Sequence, residues 1–82
     1  MEKRMGVVAI IIKDRKAVSA KVNEILTEYG EIIIGRMGIP YREKNISIIS
    51  LIVEATTDEL GSMTGKLGMI PNVDVKSTLI NK

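Results

Sequence analysis

Runs of β-branched residues along this chain give way to stretches in which apolar side chains return at helical spacing. Val7-Val8-Ala9-Ile10-Ile11-Ile12 is the first run, of strand length and without a polar interruption. Successive strand side chains point to opposite sides, so a continuous apolar run predicts a strand buried on both faces. Asp14 follows at the position of a helix cap. Val18, Val22, Ile25, Leu26 and Tyr29 then recur at steps of four, three, one and three, which places them on one face of a helix. Lys16, Lys21, Asn23 and Glu24 fall mostly on the remaining surface. The pattern predicts a helix from Arg15 to Tyr29, stopped by Gly30 as a C-terminal glycine cap.

A second strand is expected from Glu31 to Ile39, with Gly35 and Gly38 marking a bulge or a close backbone approach. Pro40 suits an edge position or a strand end, and 41–45 reads as a polar turn. From Ile46 to Glu54 a third strand is apolar on both sides, with Ile46, Ile48 and Ile52 on one face and Ile49, Leu51 and Val53 on the other. Thr57 reads as the start of a second helix, because Asp58 and Glu59 then fall in the first turn, where the helix dipole favours acids. Leu60, Met63 and Leu67 give that helix its apolar stripe, and Gly68 ends it. A last strand is expected from Asn72 to Ile80, where Val73, Val75, Ser77 and Leu79 alternate with Asp74, Lys76 and Thr78.

The order is βαββαβ. Two βαβ units with right-handed crossovers give an α+β, ferredoxin-like sandwich. Its four-stranded antiparallel sheet carries both helices on one face, and the first and third strands are central. The 82 residues suit one such domain. The far face of the sheet would meet water, and alternation would be expected there. The two central strands do not alternate. Burying one Val, Leu or Ile side chain is worth about 1.5–3 kcal/mol, so a second copy of the chain is expected over that face, in a homodimer or homotetramer.

Composition narrows the chemistry. There is no cysteine and no histidine, which leaves no disulfide, no thiolate site and no ordinary zinc site. No metal and no cofactor are expected. Without Phe or Trp the core must be aliphatic, and a small aliphatic core gains from oligomerisation. The net charge of +2 is spread along the chain with no basic block, so a nucleic-acid partner has weak support. The longest apolar run is too short to span a bilayer and lacks a signal cleavage site, so no membrane partner and a cytoplasmic location are expected.

Gly61-Ser62-Met63-Thr64-Gly65-Lys66-Leu67 has the flavour of a phosphate loop. It has three residues between its glycines where a Walker A loop has four, and Leu67 stands where Ser or Thr would hold magnesium. Each glycine costs a helix interior about 1 kcal/mol, so the pair implies close approach to a neighbour. The junction Lys13-Asp14-Arg15-Lys16-Ala17 is a better site candidate, because N–H groups at a helix start attract anions; the alternative is a capped, solvated helix start. A second cluster comprises Arg36, Tyr41, Arg42 and Lys44. Arg36 in an apolar strand calls for a partner, either a carboxylate ligand or Glu31 or Glu43 of a neighbouring chain. Candidate ligand-binding residues are therefore Asp14, Arg15, Lys16, Arg36, Tyr41 and Arg42. No catalytic residues are assigned, and no enzyme is expected. Acylphosphatases share this topology with an Arg in the first loop and an Asn opposite, roles in which Arg15 and Asn45 could be cast, but the glycine-rich loop of that family is absent. RNA-binding sheets of this topology need aromatic platforms, and metal chaperones need Cys-x-x-Cys; neither is present.

Asp14-Arg15, Val18, Ala20-Lys21-Val22, Glu24-Ile25-Leu26 and Tyr29-Gly30 resemble the first loop and helix of ACT-type regulatory domains. The stretch Gly35-Arg36-Met37-Gly38-Ile39-Pro40-Tyr41-Arg42-Glu43-Lys44 is more distinctive. With 49–54, Thr56-Thr57-Asp58-Glu59 and Thr64-Gly65-Lys66-Leu67-Gly68, it resembles a small family of proposed iron-only hydrogenase system regulators. That resemblance covers nearly the whole chain. It implies an ACT-like ferredoxin fold related to the sensing domain of the nickel-responsive repressor, and a role in transcription linked to hydrogenase maturation. The histidine and cysteine ligands of that nickel sensor have no counterpart here. Lys16-Ala17 stands where amino-acid-binding ACT domains have Pro-Gly. The expected function is an oligomeric regulatory domain that binds a small ligand or a partner protein. The alternative is a regulator that contacts DNA directly through a basic surface, with steeply salt-dependent binding.

Overall fold

In the computed structural model residues 2–80 are described, the side chains of Arg15 and Ala17 excepted. The chain runs β1 (Arg4–Lys13), α1 (Arg15–Glu28), a 3-10 turn (Gly30–Ile32), β2 (Ile33–Tyr41), a 3-10 turn (Arg42–Lys44), β3 (Ile46–Ala55), α2 (Thr57–Gly68) and β4 (Val73–Leu79). The strands form one antiparallel sheet in the order β2-β3-β1-β4. This is the ferredoxin-like arrangement expected, with β1 and β3 central.

The core lies between sheet and helices. Val8, Ile10 and Ile12 of β1 and Leu51 and Val53 of β3 are buried there, covered by Val22 and Leu26 of α1 and Met63 and Leu67 of α2. Among the described residues no polar or charged side chain is buried, so packing of aliphatic groups holds this layer together. The expectation that β1 is buried on both faces is corrected for the single chain. Burial alternates where hydrophobicity does not: Val8, Ile10 and Ile12 are sealed, while Val7 beside them stays 42% exposed.

Several boundaries differ from the pattern. Asp14 occupies the cap position of α1, but its backbone is left-handed at φ 54 and its side chain caps nothing. The residue turns the chain sharply out of β1, a conformation Asp tolerates better than most. At the other end, Tyr29 closes α1 through its N–H to the Ile25 carbonyl at 3.1 Å. Gly30 starts a 3-10 turn, and no described glycine has a positive φ, so it is not a glycine cap. That turn delays β2 to Ile33, and β2 then runs through Pro40 to Tyr41 as an edge strand. An edge tolerates the missing proline N–H. A register shift between Ile33 and Gly35 is the irregularity that Gly35 suggested.

Thr56, not Thr57, caps α2. Its Oγ1 accepts from the Glu59 N–H at 3.1 Å, and Glu59 Oε1 accepts from the Thr56 N–H at 2.9 Å. This reciprocal box satisfies two helix-end donors. The bond from the Thr56 N–H, helped by the charge of Lys3, holds the Glu59 carboxyl below the usual glutamate range. Gly61 and Gly65 do not meet a neighbour: a Cβ built at either touches nothing. Close approach falls at Gly6 instead, where a Cβ would sit 2.5 Å from Leu79 Cδ2 and 2.6 Å from the Thr78 carbonyl oxygen.

Candidate functional site

Directly opposed residues of an antiparallel pair project to the same face, so the register maps the face away from the helices row by row. One row is Tyr41, Ile46 and Lys13, from β2 across to β1. The next is Ile39, Ile48, Ile11 and Asp74. Then come Met37, Ser50, Ala9 and Lys76, and after them Gly35, Ile52, Val7 and Thr78. Glu54 and Met5 finish the face. Bulky apolar rows therefore lie on either side of the small pair Ser50 and Ala9. Met37 is 61% exposed, and Ile39, Ile52, Tyr41 and Met5 are exposed as well.

The topology gathers two of the predicted site segments at one end of the sheet. Lys13 and Tyr41 both oppose Ile46, so the β1–α1 junction and the β2–β3 hairpin lie side by side. The α2–β4 connection joins them through the Lys13 N–H, which donates to the Asn72 carbonyl at 2.8 Å. Each of these three connections contains one left-handed residue: Asp14, Asn45 or Asn72. Asp14 and Lys16 are exposed there, as are Tyr41, Arg42 and Lys44. Arg15 begins α1, and its side chain lies outside the described residues. Lys13 pairs with Asp74 at 3.4 Å. Lys16, Arg42 and Lys44 have no side-chain hydrogen bond or ion pair among the described residues.

Arg36 does not join this group. It opposes Leu51 and therefore projects to the helix side, where Nη2 donates to Asn23 Oδ1 of α1 at 2.9 Å. The expected cluster is thus split: Arg36 and Tyr41 lie on opposite faces of β2, and Arg42 lies beyond the strand in the 3-10 turn. An odd and an even position on one strand cannot share a face. The partner that an arginine in β2 required is Asn23, which sequence spacing alone gave no reason to choose.

A groove of about 410 Å3 between the helices was not signalled by any motif. Lys21, Glu24 and Ile25 of α1 line one side, and Lys66, Met69, Ile70 and Pro71 the other. Lys66 Nζ bonds Glu28 Oε2 at 2.6 Å and sits 5.1 Å from the centre of the Tyr29 ring, while Tyr29 Oη and Ser62 Oγ are 2.6 Å apart. The Glu28 carboxylate, with the Tyr29 hydroxyl, raises the pKa of Lys66 above its ordinary value. These exposed contacts tie the C-terminal end of α1 to α2 beside the groove. Among the described residues no group of three His, Cys, Asp or Glu side chains is placed to hold a metal ion, and no helix is long and apolar enough to cross a membrane.

Comparison with known proteins adds a family to this geometry. The TM1266-like family model, described as "Iron-only hydrogenase system regulator, putative", matches residues 4–77. The solved structure of the uncharacterized protein TM1266 from Thermotoga maritima superposes with a TM-score of 0.94 at 39% identity, covering 98% of this chain and 100% of that one. The ACT domain of the GTP pyrophosphokinase of Chlorobium tepidum gives a TM-score of 0.77 at 15% identity, over 93% of this chain and 99% of that one. A protein of Thermus thermophilus described as a "putative PII-like signaling protein" gives 0.61 at 13% identity, over 98% and 92%. The last two show the fold alone. A search of curated protein sequences finds no match.

Proposed function

The chain belongs to this family of proposed iron-only hydrogenase system regulators, and from that premise we propose that it is a non-enzymatic regulatory domain that binds a small ligand or a partner protein. It works as a homo-oligomer and acts on transcription in the hydrogenase system. The observation that carries the binding part is the meeting of the β1–α1 junction and the β2–β3 hairpin at one end of the sheet. Lys16, Arg42 and Lys44 stand there with no internal partners among the described residues, next to the N-terminal end of α1. Free cations beside exposed helix N–H groups attract an anionic group. Tyr41 and Asp14 complete the rim, and Arg15 enters it by position.

Native mass spectrometry of freshly purified protein tests this reading. An extra bound mass that disappears in the Lys16→Ala/Arg42→Ala double variant supports a ligand site at this end. The same mass retained by the double variant places the ligand elsewhere. If no mass is retained, the wild type and the double variant are compared for capture of a partner protein.

The same basic end favours a second reading, direct contact with DNA phosphates. Binding to the promoter region would then weaken steeply with salt. A mobility-shift experiment at low salt that shows no complex removes this reading.

A further inference from the structure

The open face of the sheet has the size, the pattern and the charge layout of a surface that pairs with itself. Four strands about 4.8 Å apart, each counted over nine residues rising about 3.3 Å apiece, present roughly 570 Å2. Two such faces bury roughly 1,100 Å2 in all, above the ~1,000 Å2 that a specific interface needs. Within that area Lys13, Glu54, Asp74, Lys76 and Thr78 border an apolar centre, and an exposed apolar patch rimmed by polar residues marks an interaction surface.

The pattern selects the occupant. Ala9 and Ser50 oppose one another near the middle of the face, with Ile11 and Ile48 on one side and Val7 and Ile52 on the other. A two-fold axis running across the strands through the Ala9–Ser50 pair lays each bulky row on the other bulky row of the second copy. Ala9 and Ser50 at the centre of the axis row let the sheets approach, while Met37 and Lys76, on the edge strands at its two ends, each lie beside their own copies. A two-fold contact uses the same patch on both copies, and this patch is self-complementary in that sense.

Charge selects the direction. On the open face itself, one end of the sheet carries Lys13, which pairs with Asp74 at 3.4 Å. The opposite end of that face carries Glu54, across from Met5. An axis across the strands sets the Lys13 end of one copy over the Glu54 end of the other, so opposite signs meet at the ends, and the like pair it makes, Lys76 with Lys76, falls on the edge strand β4, where both side chains reach solvent. An axis along the strands would set like ends together.

We infer that a second copy of this chain covers the open face, in a two-fold pair whose sheets run antiparallel across Ala9 and Ser50. This deepens the oligomeric part of the proposed function and rests on it; the ligand site at the basic end is independent of it. Aligned sheets in such pairs cross at about 30° and leave the interdigitated side chains dry.

The experiment measures the native mass and the dissociation constant of purified full-length protein. Ile48→Glu/Ile52→Glu alters only side chains of the open face, and its circular dichroism reports that the chain stays folded. The wild type is expected to be an assembly of at least two chains, and the double variant a folded monomer with dissociation weakened at least 100-fold. Lys13→Glu and Glu54→Lys are each expected to weaken pairing, and their combination to recover most of the loss. A monomeric wild type overturns both the pairing and the oligomeric reading, and hands the face to a different partner. An oligomer that persists in Ile48→Glu/Ile52→Glu overturns the face assignment alone. Charge variants that do not compensate overturn the antiparallel arrangement.

Discussion

Arg36 of β2 donates through Nη2 to Asn23 Oδ1 of α1 at 2.9 Å, so the one cation within β2 is engaged by the helix packed beside it. The bond is exposed, and its net worth is about 0.5–1.5 kcal/mol. Arg36→Ala and Asn23→Ala are expected each to lower stability by that amount, and the double variant by little more than either alone. Denaturant unfolding of the four proteins, at one protein concentration, measures the coupling. Fully additive losses would show that the two side chains act separately. Because Arg36 is committed to Asn23, Arg36→Ala is also expected to leave binding at the basic end of the sheet unchanged.

Two glycines give opposite outcomes. A Cβ at Gly6 would collide with the backbone of β4 at the Thr78 carbonyl, so Gly6→Ala forces β1 and β4 apart and costs about 1–3 kcal/mol. A Cβ at Gly61 meets nothing, and alanine is the better helix former by about 1 kcal/mol, so Gly61→Ala is expected to raise stability. Thermal unfolding of both variants checks the pair. A destabilising Gly61→Ala would mean that the outer surface of α2 is covered in the assembled protein.

The capping box predicts a pH dependence. Glu59 has a folded pKa below its unfolded one, so it stabilises the fold above the ordinary glutamate value of 4.5. That contribution is lost as pH falls through the lowered folded value. Glu59→Gln keeps an acceptor for the Thr56 N–H but does not titrate in this range. The stability difference between wild type and Glu59→Gln is expected to shrink as pH falls below 4.5. A difference that stays flat would place the titration elsewhere. Thr56→Ala removes the other half of the box and is expected to cost about 1 kcal/mol at neutral pH.

The order of elements was legible because each carries its own period: Val18, Val22, Ile25 and Leu26 for α1, and Leu60, Met63 and Leu67 for α2. Strand centrality was legible from the apolar load of β1 and β3. Element ends were less so, because they depend on backbone geometry that residue type only biases. Asp14 is a favoured capping residue, yet the turn out of β1 needed its tolerance of a left-handed backbone instead. Thr56 and Thr57 are chemically alike, and only the reach of Glu59 three residues beyond Thr56 separates them. In the candidate site, adjacency of the Asp14–Lys16 and Tyr41–Arg42 segments follows from topology, whereas the bond from Arg36 to Asn23 depends on how far α1 overhangs the edge strand. The groove beside Lys66 is built from α1, the end of α2 and the α2–β4 connection, and has no signature in any one of them.

The unalternated apolar residues of β1 and β3 connect the sequence to the proposed role, since they are the residues that a second chain covers in the proposed pair. Native mass spectrometry of the wild-type protein at low micromolar concentration tests this most directly. The account predicts an assembly whose mass is an even multiple of the 9.0 kDa chain. A single species at 9.0 kDa would contradict it.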